Sequence, residues 1–232
     1  TPAPPLKLLA VKSEIGAGTR GASLGPDAIK IAALDYGSNL FNKLHSIEVP
    51  VENNLLFETH GSTYAKRIRG IVGIYDRLSK TVADVLKAKE FPIILAGDHS
   101  TAGGTIAGIK MANPKARLGV IWIDAHADLH SPYTTPTGNV HGMPLAATLG
   151  EDNIANKMNK PDKETVDLWN KLKKIGGISP KINYSDLVYI GVRDVEPEET
   201  YLMKKNKIKA FTTNDVKRHG VEKIARDALA YL

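Results

Sequence analysis

The feature that most constrains the fold is a short apolar run that ends in a polar cluster. Residues 118–123 read Leu-Gly-Val-Ile-Trp-Ile, and residues 124–128 read Asp-Ala-His-Ala-Asp. An unbroken apolar run of this length is typical of a strand buried on both faces of a parallel sheet. Ligands of open α/β sheets bind outside the carboxyl ends of the strands, which is where this cluster falls. The run therefore predicts a parallel sheet with a polar site at its edge.

The spacing inside the cluster indicates a metal site. If the chain stays extended beyond Ile123, side chains two apart point the same way, so Asp124, His126 and Asp128 converge. Two carboxylates and an imidazole at the mouth of a buried strand are unfavourable unless a cation binds them. The 232 residues include no cysteine, so the ligands are nitrogen and oxygen. That donor set favours manganese or another hard ion over structural zinc.

A second polar cluster follows another apolar run. Residues 91–96 read as a buried strand and lead into Gly-Asp-His-Ser at 97–100. Because consecutive parallel strands usually lie close in space, we expect His99 to join the metal site. For either motif alone, a turn histidine or a solvated loop is an equally good interpretation. Ser100 is interpreted as the N-cap of a helix from residue 101 to about 111.

Strand-like and helix-like segments alternate along the chain. The clearest helix spans residues 62–89, where apolar side chains recur every three or four positions. Such alternation predicts an α/β fold of three layers, α/β/α, with a doubly wound, mostly parallel sheet. We see no internal repeat and no linker, so residues 1–232 are expected to form one domain. The apolar runs that we interpret as main strands are 6–11, 91–96, 118–123, 187–192 and 208–212.

The composition limits the partners. The formal charge of +6 and the pI of about 9.3 would suit a nucleic-acid partner. The lysines are scattered along helical segments, however, as on ordinary solvated faces, so we expect no nucleic-acid binding. No apolar run approaches the length of a membrane span, and the N-terminus lacks a signal-peptide pattern. We therefore expect a cytoplasmic protein without a membrane partner.

Three segments together resemble the ureohydrolase family. They are residues 97–100, residues 124–128, and residues 134–142, which read Thr-Thr-Pro-Thr-Gly-Asn-Val-His-Gly. The third segment is more similar to arginases than to agmatinases, and residues 191–197 also resemble arginase. The resemblance covers nearly the whole chain. It implies an arginase-like fold and hydrolysis of L-arginine to L-ornithine and urea by a binuclear manganese cluster, in a homotrimer or homohexamer.

The resemblance also implies a role for each matching residue. His99 and Asp128 would bind one manganese ion and His126 the other, while Asp124 would bridge the two. The expected catalytic residues are Asp128, Glu199 and His141, the last as a proton shuttle. The expected contacts to the substrate come from His130, Thr135, Thr137, Asn139 and Glu196.

Some positions depart from the family pattern. His130 stands where arginases usually have an amide, Glu196 where aspartate is usual, and Thr137 where serine is usual. The family's second motif, Ser-x-Asp-x-Asp-x-x-Asp-Pro, does not occur before Leu232. We therefore expect this chain to lack the C-terminal part of a longer arginase. Two alternatives stay open: an agmatinase or guanidinobutyrase, and an inactive relative with an incomplete metal site.

Overall fold

The structure is a computed structural model that describes residues 3–232. Strands and helices alternate along these residues, as the apolar pattern predicts. The strands are β1 (Leu6–Val11), β2 (Ser46–Glu48), β3 (Phe91–Ala96), β4 (Val120–Ile123), β5 (Leu187–Val192) and β6 (Lys209–Thr212). The helices are α1 (Gly25–Asp35), α2 (Leu40–Lys43), α3 (Ile68–Lys87), α4 (Ala102–Ala112), α5 (Pro144–Leu149), α6 (Lys163–Lys173), α7 (Pro197–Lys205), α8 (Thr213–His219) and α9 (Val221–Tyr231).

The strands form two parallel sheets of three strands each. Their orders are β2-β1-β3 and β4-β5-β6, and every pairing between the described strands is parallel. β3 and β4 do not pair with each other in the described part of the chain. Parallel neighbours present their carboxyl ends at one edge of a sheet. The loops after β3 and β4 therefore leave their sheets on the side where α/β proteins bind ligands.

Helices cover both faces of the strands. In β5, Val188 packs with α8 and α9, whereas the next residue, Tyr189, packs on the opposite face with α4, α5 and α7. Leu9 and Val11 of β1 pack against α3 and α6. Alternate side chains of one strand point to opposite faces, so β5 is buried between two helical layers. The predicted burial of β3 and β4 was wrong: no residue of β3 is fully buried, and Ile123 of β4 is 76% exposed, because both are edge strands of their sheets. The predicted three-layer α/β/α fold is confirmed.

α3 is the long amphipathic helix that the sequence predicts. Its buried face includes Ile71, Tyr75, Leu78 and Val82, which are at most 1% exposed. Each such side chain stabilises the fold by roughly 1.5–3 kcal/mol through its burial. The helix begins at Ile68 rather than near residue 62, because the preceding residues form turns that end in a left-handed backbone at residue 67.

None of the helices in residues 3–232 combines the length and the apolar character that a membrane span requires. α3 is long enough, with 20 residues, but its outer face is charged. The observation agrees with the amphipathic pattern, in which polar side chains occupy the face opposite the core.

Candidate metal centre and adjoining cleft

Three metal-ligating side chains meet beyond the carboxyl ends of β3 and β4. Nδ1 of His99 lies 3.0 Å from Oδ2 of Asp124 and 3.1 Å from Oδ2 of Asp128. These three residues form one of two His/Asp/Glu groups in the described chain whose ligand atoms are close enough to share an ion. The sequence predicted that they lie together, and the structure places them so.

The turn after β3 fixes the position of His99. A side chain at Gly97 would place its Cβ 2.1 Å from the carbonyl oxygen of Ser13, so only glycine fits where the strand leaves the sheet. The buried Asp98 carboxylate then accepts hydrogen bonds from the backbone amides of Gly16 (3.0 Å) and Ser100 (2.8 Å). The cap of this turn is therefore Asp98, and the prediction of Ser100 as the N-cap was wrong. Asp98 precedes the turn, and its side chain accepts a hydrogen bond from an amide two residues later, as capping carboxylates do.

The segment after β4 is bent rather than extended. Asp124 accepts a hydrogen bond from the backbone amide of His126 at 2.9 Å, which closes a tight local turn. Asp128 then adopts a left-handed backbone with φ of 51°, a conformation that asparagine and aspartate tolerate better than most residues. The predicted extended segment was wrong, because a local side-chain hydrogen bond competes with strand geometry here. Asp124 and Asp128 still converge, through the turn.

His126 lies beside this group but is not part of it. Its Nδ1 is 3.4 Å from Oδ1 of Asp124, and its Nε2 is 3.6 Å from Oδ2 of Asp194. The two oxygens of Asp124 thus face different imidazoles, that of His99 and that of His126. A carboxylate with this placement has the geometry to bridge two ions.

The donor set fits a divalent cation. Oδ2 of Asp128 is buried and has no hydrogen-bond partner, because His99 lies near it without the geometry of a hydrogen bond. A buried carboxylate oxygen left in this state is unfavourable unless a cation satisfies it. Burial lowers the pKa of the His99 imidazole, but the carboxylates of Asp128 and Asp124 outweigh burial and raise it. The site therefore attracts positive charge.

Two aromatic side chains contact the residues that form the site. The ring of Trp122 stacks on His99 with centroids 4.4 Å apart and planes 13° from parallel. The Tyr189 hydroxyl donates a hydrogen bond to the carbonyl of Ala127 at 2.5 Å. Sequence reasoning missed both roles. The available signal for Trp122 was its place in β4, two residues before Asp124.

A cleft of about 160 Å³ opens beside the metal-ligating group. Every residue that the sequence suggested for catalysis or substrate contact contributes to its wall. The lining residues are His126, Asp128, His130, Thr135, Pro136, Thr137, Asn139, His141, Gly142, Glu196 and Glu199.

A tight loop forms one wall of this cleft. Oγ1 of Thr135 accepts hydrogen bonds from the amides of Gly138 (2.9 Å) and Thr137 (3.3 Å). Oγ1 of Thr137 accepts one from the amide of Asn139 at 3.2 Å. Gly138 has φ of 74° and packs against the backbone of Thr63, where any Cβ would clash. Both threonine oxygens therefore shape the loop, and their hydroxyl protons remain available as donors.

Two glutamates at the N-terminal end of α7 form the opposite, acidic wall. Glu196 immediately precedes the helix, and Glu199 lies in its first turn, where the helix dipole favours acidic side chains. Burial, together with the neighbouring Glu196, raises the pKa of Glu199 to about 9. The hydrogen bond with Glu199, helped by His130, lowers the pKa of Glu196 despite partial burial. The pair thus holds one proton and one negative charge at neutral pH.

Fold and site together define a three-layer α/β/α protein with a candidate metal centre at the carboxyl ends of neighbouring strands. The family model described as "Arginase family" matches residues 5–232, and the chain belongs to that family. It is 33% identical to an arginase of Bacillus caldovelox and 34% identical to an arginase of Brevibacillus brevis. These matches cover 98% of this chain and 71% and 70% of the two relatives.

Solved structures agree with this assignment. The arginase structure from Bacillus caldovelox superposes with a TM-score of 0.81 at 32% identity, and covers 99% of this chain and 71% of its own. A formimidoylglutamase from Bacillus subtilis, at 18% identity and a TM-score of 0.66, shares the fold. Family membership therefore identifies a metal-dependent group of hydrolases.

Proposed function

We propose that this protein is a manganese-dependent arginase that hydrolyses L-arginine to L-ornithine and urea. The observation that carries the proposal is the adjacency of two features. The group of His99, Asp124 and Asp128 offers ligands for a metal, and the cleft beside it ends in the carboxyl groups of Glu196 and Glu199. A cationic guanidino compound matches such a cleft in charge.

The chemistry requires a strengthened nucleophile, because the charge of a guanidinium group is delocalised and its carbon is a poor electrophile. Two divalent ions held by His99, Asp124, His126 and Asp128 would supply it by lowering the pKa of a shared water molecule. Asp124 would contribute an oxygen to each position, since one of its oxygens faces His99 and the other faces His126.

The proposed proton carrier is His141. It lies in a short turn at the rim of the cleft, and its side chain is exposed. The amine that leaves the reaction centre needs a proton, and histidine is suited to deliver one near neutral pH. In this account His141 moves the proton between bulk water and the departing amine.

The two walls of the cleft orient the substrate. We assign the cationic groups of arginine to the wall of Glu196 and Glu199. We assign the α-carboxylate to the loop wall, where the hydroxyls of Thr135 and Thr137 and the amide of Asn139 offer donors. Agmatine lacks this carboxylate, so the loop wall is the part of the site that favours arginine over agmatine.

Urea release tests the proposal directly. Full-length protein is assayed with L-arginine, agmatine and 4-guanidinobutyrate, with and without added manganese. The proposal expects manganese-dependent urea from arginine, and at least about tenfold less from agmatine because one charge-assisted contact is lost. Greater turnover of agmatine or guanidinobutyrate would contradict the proposal and identify the protein as an agmatinase or a guanidinobutyrase. Metal-loaded protein that releases urea from none of them would favour the inactive relative.

The variant His126→Ala distinguishes loss of metal-dependent activity from loss of the folded structure. The change should abolish urea production while circular dichroism stays unchanged, because the imidazole is more than half exposed. Unchanged activity would remove His126 from the proposed centre.

We further propose a homotrimer or homohexamer in the cytoplasm, and light scattering of the purified protein tests the oligomer.

A further inference from the structure

A second group of metal-ligating side chains lies on the acidic wall of the cleft. It consists of His130, Glu196 and Glu199, whose ligand atoms all lie within 4.8 Å of one another. Nε2 of His130 is 3.4 Å from Oε2 of Glu196 and 3.8 Å from Oε2 of Glu199. The group shares no residue with the one formed by His99, Asp124 and Asp128.

The imidazole of His130 is buried and incompletely satisfied. The residue is 6% exposed, and its Nδ1 pairs with Oγ1 of Thr134 at 3.1 Å. Its Nε2 is aimed at the two carboxyl groups and has no hydrogen-bond partner. A buried polar atom without a partner costs about 1–3 kcal/mol. Something that binds Nε2 therefore has free energy to gain at this position.

The separations between His130 and the two carboxyl groups are compatible with a shared ion. A charge-assisted N–H···O bond is about 2.7–2.9 Å long, shorter than either separation in the group. Two ligands of one tetrahedral ion at about 2.1 Å lie roughly 3.4 Å apart, which agrees with the separation of His130 and Glu196. Thr134 completes the pattern, because ligating histidines usually donate their other N–H to an oxygen nearby.

Glu199 is already held in place for such a role. Its Oε1 accepts a hydrogen bond from the amide of Leu129 at 2.9 Å, and its Oε2 accepts one from the amide of Glu196 at 3.2 Å. The residue is 2% exposed. A carboxylate fixed by two backbone amides loses little conformational entropy when it binds an ion.

We propose that His130, Glu196 and Glu199 form a further divalent-metal site, suited to Zn²⁺, that is separate from the candidate centre at His99. Three ligands with an open side toward the cleft match the ligand number of catalytic zinc sites, in which histidine and carboxylate ligands occur together. The ion would displace the proton that Glu199 holds at neutral pH, and that proton would pass to water. If the cleft is also the substrate site proposed above, bound zinc would occupy it and inhibit the enzyme. The binding itself does not depend on that function.

Zinc content measured by equilibrium dialysis and elemental analysis tests the site. The proteins compared are wild type, His130→Asn, His99→Ala and the double variant, with His219→Asn as a matched exposed control. In both backgrounds, His130→Asn is expected to bind one zinc ion fewer per chain, or to bind it at least about 100-fold more weakly. His219→Asn should bind as the wild type does. The His99→Ala background removes urea chemistry from the comparison.

A second variant protects the test against misfolding. Glu196 is about half exposed, so Glu196→Gln should fold, and its thermal unfolding verifies this. It should lose the same zinc ion as His130→Asn. Equal zinc content in wild type, His130→Asn and Glu196→Gln would overturn the proposal and leave a proton shared between Glu196 and Glu199 as the whole explanation of the group.

Discussion

Nδ1 of His99 lies 3.0 Å from Oδ2 of Asp124, although the two residues follow strands of different sheets. β3 and β4 make no ladder to one another, so side chains at their carboxyl ends provide this close connection between the sheets. His99, which follows β3, and Asp124, which follows β4, both lie close to the buried carboxylate of Asp128. This convergence is what the proposed metal centre and hydrolysis depend on.

Removal of the His99 imidazole should remove metal binding without unfolding the protein. His99→Ala deletes the nitrogen ligand of the group, so manganese affinity should fall at least about 100-fold and urea production should be lost. Calorimetric titration with Mn²⁺ measures the affinity. His219→Ala, a change at an exposed histidine outside the site, should titrate as the wild type does. Equal affinity in all three proteins would place the metal elsewhere.

Asp98 should be important for stability rather than for direct metal contact. Its carboxylate accepts two buried amide hydrogen bonds that hold the turn carrying His99. Asp98→Asn points an N–H group at one of those amides, and the expected loss is about 2–3 kcal/mol. Urea denaturation measures the free energy of unfolding. A loss below about 0.5 kcal/mol would mean that the turn does not need this cap.

Trp122 should position His99 by stacking. Trp122→Leu removes the flat surface under the imidazole, and manganese affinity should fall about tenfold, as for other residues that orient ligands. Trp122→Phe keeps an aromatic face and removes a buried indole N–H that has no partner, so it should bind manganese as wild type does. If leucine and phenylalanine behave alike, stacking has no role in the site.

Lys181 provides a pH-dependent test of burial away from the metal centre. The residue is 4% exposed, and burial lowers its pKa from 10.5 to about 8. Between these values the unfolded chain keeps the proton that folded Lys181 releases. The Lys181 contribution to the free energy of unfolding therefore rises with pH, by at most about 1.4 kcal/mol per unit.

The measurement is a comparison of wild type with Lys181→Met from pH 7 to 9.5. The difference in unfolding free energy between them should be flat below about pH 8 and then move in favour of wild type. Buried tyrosines titrate in both proteins and cancel in the difference. A difference that stays constant over the whole range would contradict the lowered pKa of Lys181.

The apolar runs predicted the positions of the strands well, but the burial that they predicted holds for β5 and not for β3. β3 and β5 have the predicted bounds, and the convergence of His99 with Asp124 followed from the general behaviour of parallel strand ends. The details of the turns were harder to predict. The cap at Asp98 and the left-handed backbone of Asp128 depend on hydrogen bonds that a period-2 or period-3.6 pattern does not encode.

Contacts between distant segments could not be predicted from the apolar pattern either. Trp122 is an ordinary apolar residue of a strand in the sequence, and only the placement of β3 beside β4 turns it into a support for His99. The partner of His126, Asp194, comes from the loop after β5. Sequence reasoning placed the candidate ligands at one edge, but it had no measure of which side of Asp124 each imidazole would face.

Anomalous diffraction from crystals soaked in Mn²⁺ tests the central claim most directly. The account predicts a peak within coordination distance of Nδ1 of His99 and of both Asp124 and Asp128, with a second position between Asp124 and His126. A map in which manganese lies away from these side chains, or in which fully soaked crystals hold none, would contradict it.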